Sequence, residues 1–565
     1  MKTSTTILAL ASALALTLAA CGGGGGAPAP ANGTSGPTGV APSSSSGAIT
    51  AFGSVFVNGH EYATTGAQVV DDDTGATDTR VSALEVGQVV DIEPASDSTP
   101  TSPVARLLHV HPLVRGAVDA WDGTANTLTV MGQVVSLDSA TLFSDHRACV
   151  SATTSPCTAI SDASGLALTA ASGGATTPGS YVSIDGYLFS SGSGSGNANI
   201  VATLVAIHDS PTGADAALYK VEGVVTTTSA TVGSAGVTIG GLQVDLAAAT
   251  CRVKGQSTAC AGAFAVGDVV SAFASTAPTL PATTFNATVA LKRSHLPVQT
   301  AGSTVEFDGA VSSFTAASGS AAAHFVVRGV DVDTAALSAG TSLPAVGDLV
   351  AVAGTVSSDG LSVAASSIRI LRAARSVSYG FGGDETAVAA GSVASTFTLT
   401  VLGQPIVVSA QTRLLDRQMH RWSEVDPQSN PFNISTFQAY LAASVSQHLS
   451  ITAAKDSNGV LQALTLTIVP ASTISEVAGP VDASPAPVAG SSTAATTFSI
   501  DGLPVSAALS AISFRRHSTS TIAAGDQVLA VGSFAAGTLT VGPTPSFGNF
   551  VLDGGIPIAH DVPQF

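Results

Sequence analysis

Gly47-Ala48-Ile49-Thr50-Ala51-Phe52-Gly53-Ser54-Val55-Phe56-Val57-Asn58-Gly59-His60-Glu61-Tyr62 decides how this chain is built. Apolar residues on both sides of an Asn-Gly pair read as a hairpin, because Asn-Gly suits the type I′ turn whose twist matches that of paired strands. The break recurs at Val130-Met131-Gly132-Gln133-Val134, Gly240-Gly241, Arg328-Gly329, Leu402-Gly403 and Ile500-Asp501-Gly502-Leu503-Pro504-Val505. In five of the six copies an apolar-Gly-polar-Val step follows. It is Leu84-Glu85-Val86-Gly87-Gln88-Val89-Val90 in the first, and Val266-Gly267-Asp268, Val346-Gly347-Asp348 and Ala524-Gly525-Asp526 later, with a weaker form at Pro178-Gly179-Ser180. The fifth copy lacks the step and carries a polar-aromatic insertion from Arg413 to Tyr440.

Repeats at this spacing predict self-contained β units: residues 47–115, 116–221, 222–307, 308–376, 377–477 and 478–565, the last with a tail after about Pro545. Period-2 alternation, as in Phe397, Leu399 and Val401 against Thr398 and Thr400, gives each strand one buried and one wet face. About five short strands per unit close most economically as a small barrel without exposed edges. The expected fold is therefore all-β, a tandem array of about six OB-like or SH3-like barrels after a disordered tether. A continuous β-solenoid is the alternative. Units this small have marginal cores, so staples or support from neighbours are expected.

The N-terminus shows where the chain goes. Lys2, the apolar stretch Ile7 to Leu18 and the tetrapeptide Leu18-Ala19-Ala20-Cys21 make residues 1–20 a signal peptide, since the stretch is too short to span a membrane. The tetrapeptide resembles the lipobox of bacterial lipoproteins, which implies lipid on Cys21 and a membrane partner through that lipid. Residues 21–46 are almost entirely Gly, Ala, Pro, Ser and Thr, a flexible tether reaching about 25–30 Å. With Cys21 set aside, four of the five cysteines remain in two local pairs, Cys149 with Cys157 and Cys251 with Cys260. In an oxidising compartment each pair is expected to bond, at roughly 2 to 3 kcal/mol per loop. The alternative, a zinc site, lacks CxxC spacing.

The run Gly47 to Gly59, followed by Leu84 to Val90, resembles the bacterial domain of unknown function numbered 5666. That family occurs in tandem in proteobacterial lipoproteins with Gly-rich tethers. Unit 1 carries the resemblance best; the others share the hairpin and, except the fifth, the glycine step. The resemblance implies architecture and location, and brings no catalytic residues. Gly22 after Cys21, where an aspartate would retain the lipoprotein in the inner membrane, implies the outer membrane of a Gram-negative cell, facing periplasm or exterior.

Chemistry is sparse. There is no nucleophile elbow, Walker loop, dinucleotide fingerprint or His-Glu-x-x-His. A net charge of −18, from 38 acidic against 20 basic residues, argues against nucleic acid as a partner. Asp71-Asp72-Asp73-Thr74-Gly75-Ala76-Thr77-Asp78 has part of a calcium loop, but its glycine is one place early and the closing glutamate is missing. His109 and His111 alternate on a strand and share a face. A recurrent basic loop follows the second hairpin strand: His146 and Arg147; Arg252 and Lys254; Arg413, Arg417, His420 and Arg421; Arg515, Arg516 and His517. Arg417, His420, Arg421, Trp422 and Tyr440 form the candidate ligand site, for an anionic glycan or an envelope protein; the favoured reading of these arginines is a solvated loop in which they pair with nearby carboxylates such as Asp416 or Glu424. The leading expectation is a non-catalytic, lipid-anchored spacer or binding scaffold with no cofactor and no metal. A glycan-binding or adhesion role through the fifth unit is the alternative, and an envelope-polymer hydrolase ranks below both.

Overall fold

The Asn58-Gly59 turn forms as the sequence requires, with φ of 55° and 82°. The other five hairpins have the same left-handed pair, at Met131-Gly132, Gly240-Gly241, Arg328-Gly329, Leu402-Gly403 and Asp501-Gly502. A computed structural model describes residues 44–552 apart from short segments, the longest being 190–198, 210–218, 417–432, 484–494 and 542–548. Cys21 and the tether up to residue 43 lie outside the described residues.

Module 4 shows the topology most simply. Its first strand, Thr304–Thr315, pairs antiparallel with the second, His324–Val327, and with the fourth, Leu349–Val356. The second pairs with the third, Val330–Asp333, and the fourth with the fifth, Ser362–Arg372. The third and fifth then meet in parallel and close the ring. This five-stranded order, 1-2-3-5-4-1, is that of an OB barrel. It recurs in every module. Closure in module 1 runs through an Ala63–Val104 bridge, and in module 6 through Val481–Ile500. In modules 3 and 6 the fifth strand is interrupted, giving Thr284–Asn286 with Val289–Arg293, and Thr538–Val541 with Asn549–Leu552. Asn549–Leu552 falls in the stretch read as a tail; it pairs with Ile512–Arg515 and completes the sixth barrel.

Three details repeat between barrels. The first strand bends at a bulge in modules 1 to 5, and its extra residue has a side-chain oxygen that ties back to the hairpin. Thr226 Oγ1 donates to Thr238 O at 3.2 Å and Ser312 Oγ to Val326 O at 3.2 Å, whereas Asp119 Oδ2 accepts from Gly132 N at 2.9 Å. In module 6 Asp482 accepts from the turn amides of Asp501 and Gly502. The glycine step is likewise one structure: Gly267 N, Gly347 N and Gly525 N donate to Val225 O, Val311 O and Val481 O, while Asp268, Asp348 and Asp526 cap their own turns. Module 1 makes the same backbone bond from Gly87 N to Ile49 O. Finally, a glycine on each first strand lies beneath the hairpin. A Cβ on Gly116 would come within 2.1 Å of Met131 Cγ, and one on Gly383 within 2.8 Å of Leu402 Cδ2.

Cys149–Cys157 and Cys251–Cys260 are both bonded, in the equivalent loop between third and fourth strands of modules 2 and 3. In module 5 that connection carries the helix Ile434–Ala443. Asn433 and Thr436 cap it reciprocally, and Phe437 enters the barrel core against Phe397.

The barrels do not form a string. The N-terminal halves of their first strands pair across modules: 2 with 3 through Arg115 and Lys220, 5 with 6 through Phe381 and Val477, and 1 with 4 in parallel through Ser44–Ser46 and Val305–Phe307. Modules 2 and 3 share one continuous core, as do 5 and 6. This supplies the neighbour support that small units need. Two boundary expectations change. Ser44, Ser45 and Ser46, assigned by composition to the tether, are paired and buried, Ser45 and Ser46 on both sides, because sheet pairing needs backbone and no apolar side chain. The starts placed at residues 116, 222, 308 and 478 fall inside first strands that begin at Val114, Tyr219, Thr304 and Ser475.

Candidate functional site at the module junctions

Where modules 1, 2 and 3 meet, the acidic run of module 1 faces cations from the other two. Lys220 lies in the first strand of module 3 and has no exposed surface; its Nζ is 2.7 Å from Asp73 Oδ1 and 3.0 Å from Glu222 Oε2. Arg293, from the fifth strand, reaches the same Asp73 oxygen at 2.6 Å, and Arg115 of module 2 pairs with Asp71 at 3.3 Å and Asp73 at 3.7 Å. Ser271 donates to Glu222 at 2.5 Å and accepts from Arg293 Nε at 2.7 Å. Burial pushes the Glu222 carboxyl up, but Lys220, His111 and Arg293 beside it, with the Ser271 hydroxyl, outweigh burial and hold it at about 2. Isolated charges at this depth would cost several kcal/mol each; here each has a partner and a hydrogen bond. The first three residues of the calcium-like run, Asp71, Asp72 and Asp73, therefore serve protein cations.

His109 and His111 do share a face, as their alternation requires, and both turn toward Asp72, at 2.7 Å and 3.9 Å. Hydrogen bonding to Asp72 raises the His109 pKa, against the opposing effect of burial. Beside them a cleft of about 30 Å³, room for a water or two, is lined by Asp91, His111, Glu222, Ser294 and Arg328. Among the described residues no group of three or more His, Cys, Asp or Glu is arranged to hold a metal ion.

A second junction joins modules 1, 2 and 4. Asp308, buried at the first-strand glycine of module 4, accepts from Tyr187 Oη at 2.6 Å and from Ala48 N at 3.4 Å. Arg328, the left-handed residue of the module 4 hairpin, donates to Ser46 Oγ at 2.7 Å and lies over the Tyr187 ring. Burial raises the Asp308 carboxyl to about 6, while the Tyr187 hydroxyl, Arg328, the Ala48 amide and Arg413 limit the rise. Nearby, Asp185 of module 2 is also buried, and burial raises it to about 7; the Val89 amide draws it down and the Glu85 charge pushes it up.

Because the folded Asp185 carboxyl holds its proton to higher pH than the usual 3.8, it costs stability as pH rises from about 4 to about 7, and the full cost is present above that. Asp185→Asn keeps an acceptor for the Val89 amide and removes the charge. It is expected to raise the unfolding free energy at pH 8 by on the order of a few kcal/mol and to leave it unchanged at pH 4, read by denaturant titration at both.

The recurrent basic loop does not gather into one surface among the described residues. Arg413 is buried between modules 5 and 2, donating to the carbonyls of Ala140 and of Thr203, the latter at 3.2 Å. Arg147 chelates Asp145 of its own module, and His146 reaches Glu85 of module 1 at 2.8 Å. Arg252 and Lys254 belong to a separate hairpin on module 3. Tyr440 stands on the module 5 helix, half-buried against the barrel core, with its hydroxyl 3.2 Å from Gln447. Arg417, His420, Arg421 and Trp422, like Arg516 and His517, lie outside the described residues.

Sequence reasoning missed Lys220, Glu222, Arg293, Asp308 and Tyr187. One signal was present: a charged residue directly before the first-strand glycine in Arg115-Gly116, Glu222-Gly223 and Asp308-Gly309. All three sit at a module junction.

Residues 115–194, which hold the first four strands of module 2 and stop before its fifth, Ile200–His208, match the family model for a Domain of unknown function (DUF5666). The match falls on module 2, whereas the resemblance in the sequence was read most fully on module 1; the two share the hairpin frame. No curated protein matches the chain. Among solved structures it is similar to drosophila Unr CSD456, with 11% identity over 40% of this chain and 89% of that one and a TM-score of 0.14. The OB assignment rests on strand pairing.

Proposed function

We propose that the chain is a non-catalytic, lipid-anchored cell-envelope protein whose barrels act as one binding scaffold. The observation that carries this reading is the use of the buried charges: Asp73, Lys220, Glu222 and Arg293 join modules to each other. A string of spacers has no need of such junctions, and six barrels held in fixed relation present a large surface at little ordering cost on binding. The Leu-Ala-Ala-Cys motif supports attachment through Cys21, and the two disulfides are in keeping with an oxidising compartment. Two or more acyl chains on Cys21 would hold the body stably at a membrane where one would be marginal. Outer-membrane placement extends this proposal from the residue at Gly22. Recognition of an anionic glycan by Arg417, Arg421 and Trp422 remains the alternative, carried by sequence.

Cys21→Ser tests the anchor. The substituted protein is expected in the soluble fraction of lysed cells and the parent in the membrane fraction. Unchanged partitioning contradicts the anchor.

A further inference from the structure

Two orphan oxygens meet at the junction of modules 1, 2 and 4. Asn58 directs its Nδ2 to Ser45 Oγ at 3.0 Å and Ser46 O at 3.1 Å, which fixes the amide and points Oδ1 the other way. Asn58 Oδ1 and Asp308 Oδ1 are both buried, and neither has a hydrogen-bond partner among the described residues. They converge on one point: a Cβ placed on Gly47 would lie 2.9 Å from the first and 3.0 Å from each oxygen of Asp308. Two acceptors crowded beside the same Gly47 position without a donor repel, and an unpaired buried acceptor costs about 1–3 kcal/mol. The other side of Asp308 is satisfied by donors, Tyr187 Oη and Ala48 N.

We propose that Asp308 is a proton-operated latch: a proton taken from solvent onto Oδ1 is donated to Asn58 Oδ1, closing the hairpin of module 1 and its first strand onto modules 2 and 4. One proton satisfies both orphan atoms and turns a buried anion into a neutral acid. Loss of that proton leaves a carboxylate opposite an amide oxygen. The groups facing Asp308 from the packed elements are Tyr187 of module 2, Arg328 on the module 4 hairpin and Arg413 of module 5. Glu306, two residues before it on its own strand, is occupied by His60 at 2.9 Å and Arg369 at 2.9 Å. The elevated carboxyl, at about 6, places the switching range near neutral pH. The sign is that of an acid raised on folding: the latch is closed at low pH and opens as pH rises through about 6. The strand it holds, Ser44–Phe52, is the first described element after the tether, so the latch acts where the body meets its N-terminal attachment.

Hydrogen exchange on the full chain between pH 5 and pH 8, corrected for the intrinsic pH dependence of amide exchange, tests this. Protection of Ser44–Phe52 is expected to fall at least tenfold over that range in the parent and in Asp185→Asn. It is expected to stay flat in Asp308→Asn, whose amide donates to Asn58 Oδ1 at every pH. A flat parent, or a step that survives in Asp308→Asn, overturns the latch. Should Asp308→Asn not fold, infrared spectra of Asp185→Asn combined with Glu385→Gln decide, since burial also raises the Glu385 carboxyl to about 7: a buried carboxylic-acid band present at pH 5 and lost by pH 8 supports the latch, and its absence at pH 5 overturns it.

Discussion

Asp73→Ala is expected to destabilise the protein by about 3–5 kcal/mol, the range seen when one partner of a buried ion pair is removed. Lys220 has no exposed surface, and without Asp73 it keeps only Glu222, which also faces Arg293 at 3.9 Å. Arg115 retains Asp71. Excess positive charge would remain at a buried junction, and the contact between modules 1 and 3 should fail before the barrels do. Denaturant unfolding should then show an early transition absent from the parent, with exchange rising first in Gln68–Asp71 and Tyr219–Thr231. Asp73→Ala together with Lys220→Met should recover much of the loss, because removing both charges avoids the unpaired cation. A surface role for Asp73 predicts less than 1 kcal/mol for the single change and no early transition.

The second large effect belongs to a glycine. Gly116→Ala would place a methyl group 2.1 Å from Met131 Cγ, and Met131 is fully buried in a left-handed turn, where moving it means moving the hairpin. Overpacking of this kind costs about 1–3 kcal/mol and more where backbone must shift. Met131→Asn removes the obstructing side chain and suits the left-handed position, as Asn58 does in module 1. Thermal unfolding of the two single variants and the double should therefore be non-additive, with Met131→Asn recovering most of the Gly116→Ala loss. Additive losses would mean that the glycine is needed for some reason other than the hairpin above it.

Much of this was legible because local chemistry was enough. Asn58-Gly59 fixes its turn through preferences of two adjacent residues. Cys149 with Cys157, and Cys251 with Cys260, are close enough in sequence to find each other. His109 and His111 share a face by strand geometry alone. What could not be read was long-range. Asp71-Asp72-Asp73 has the composition of a solvated or cation-binding turn, and only the arrival of Lys220, 147 positions away, makes it a junction. Ser45 and Ser46 pair through backbone on both sides, which leaves no mark in side-chain hydropathy. The pairing of module 1 with module 4 skips two intervening barrels, and repeat spacing has no term for that. Arg413 shows the opposite hazard. It looks like one more member of a basic loop, yet it is buried against carbonyls of module 2.

The central claim is that the described barrels are locked into one body. Small-angle X-ray scattering of the protein measures this directly. A body of roughly 520 residues packed as a unit has a radius of gyration of about 24 Å, while six barrels strung end to end would give roughly 45 Å. A value near the first is the result expected. A value near the second would contradict the junctions at Asp73 and Asp308, and with them the scaffold.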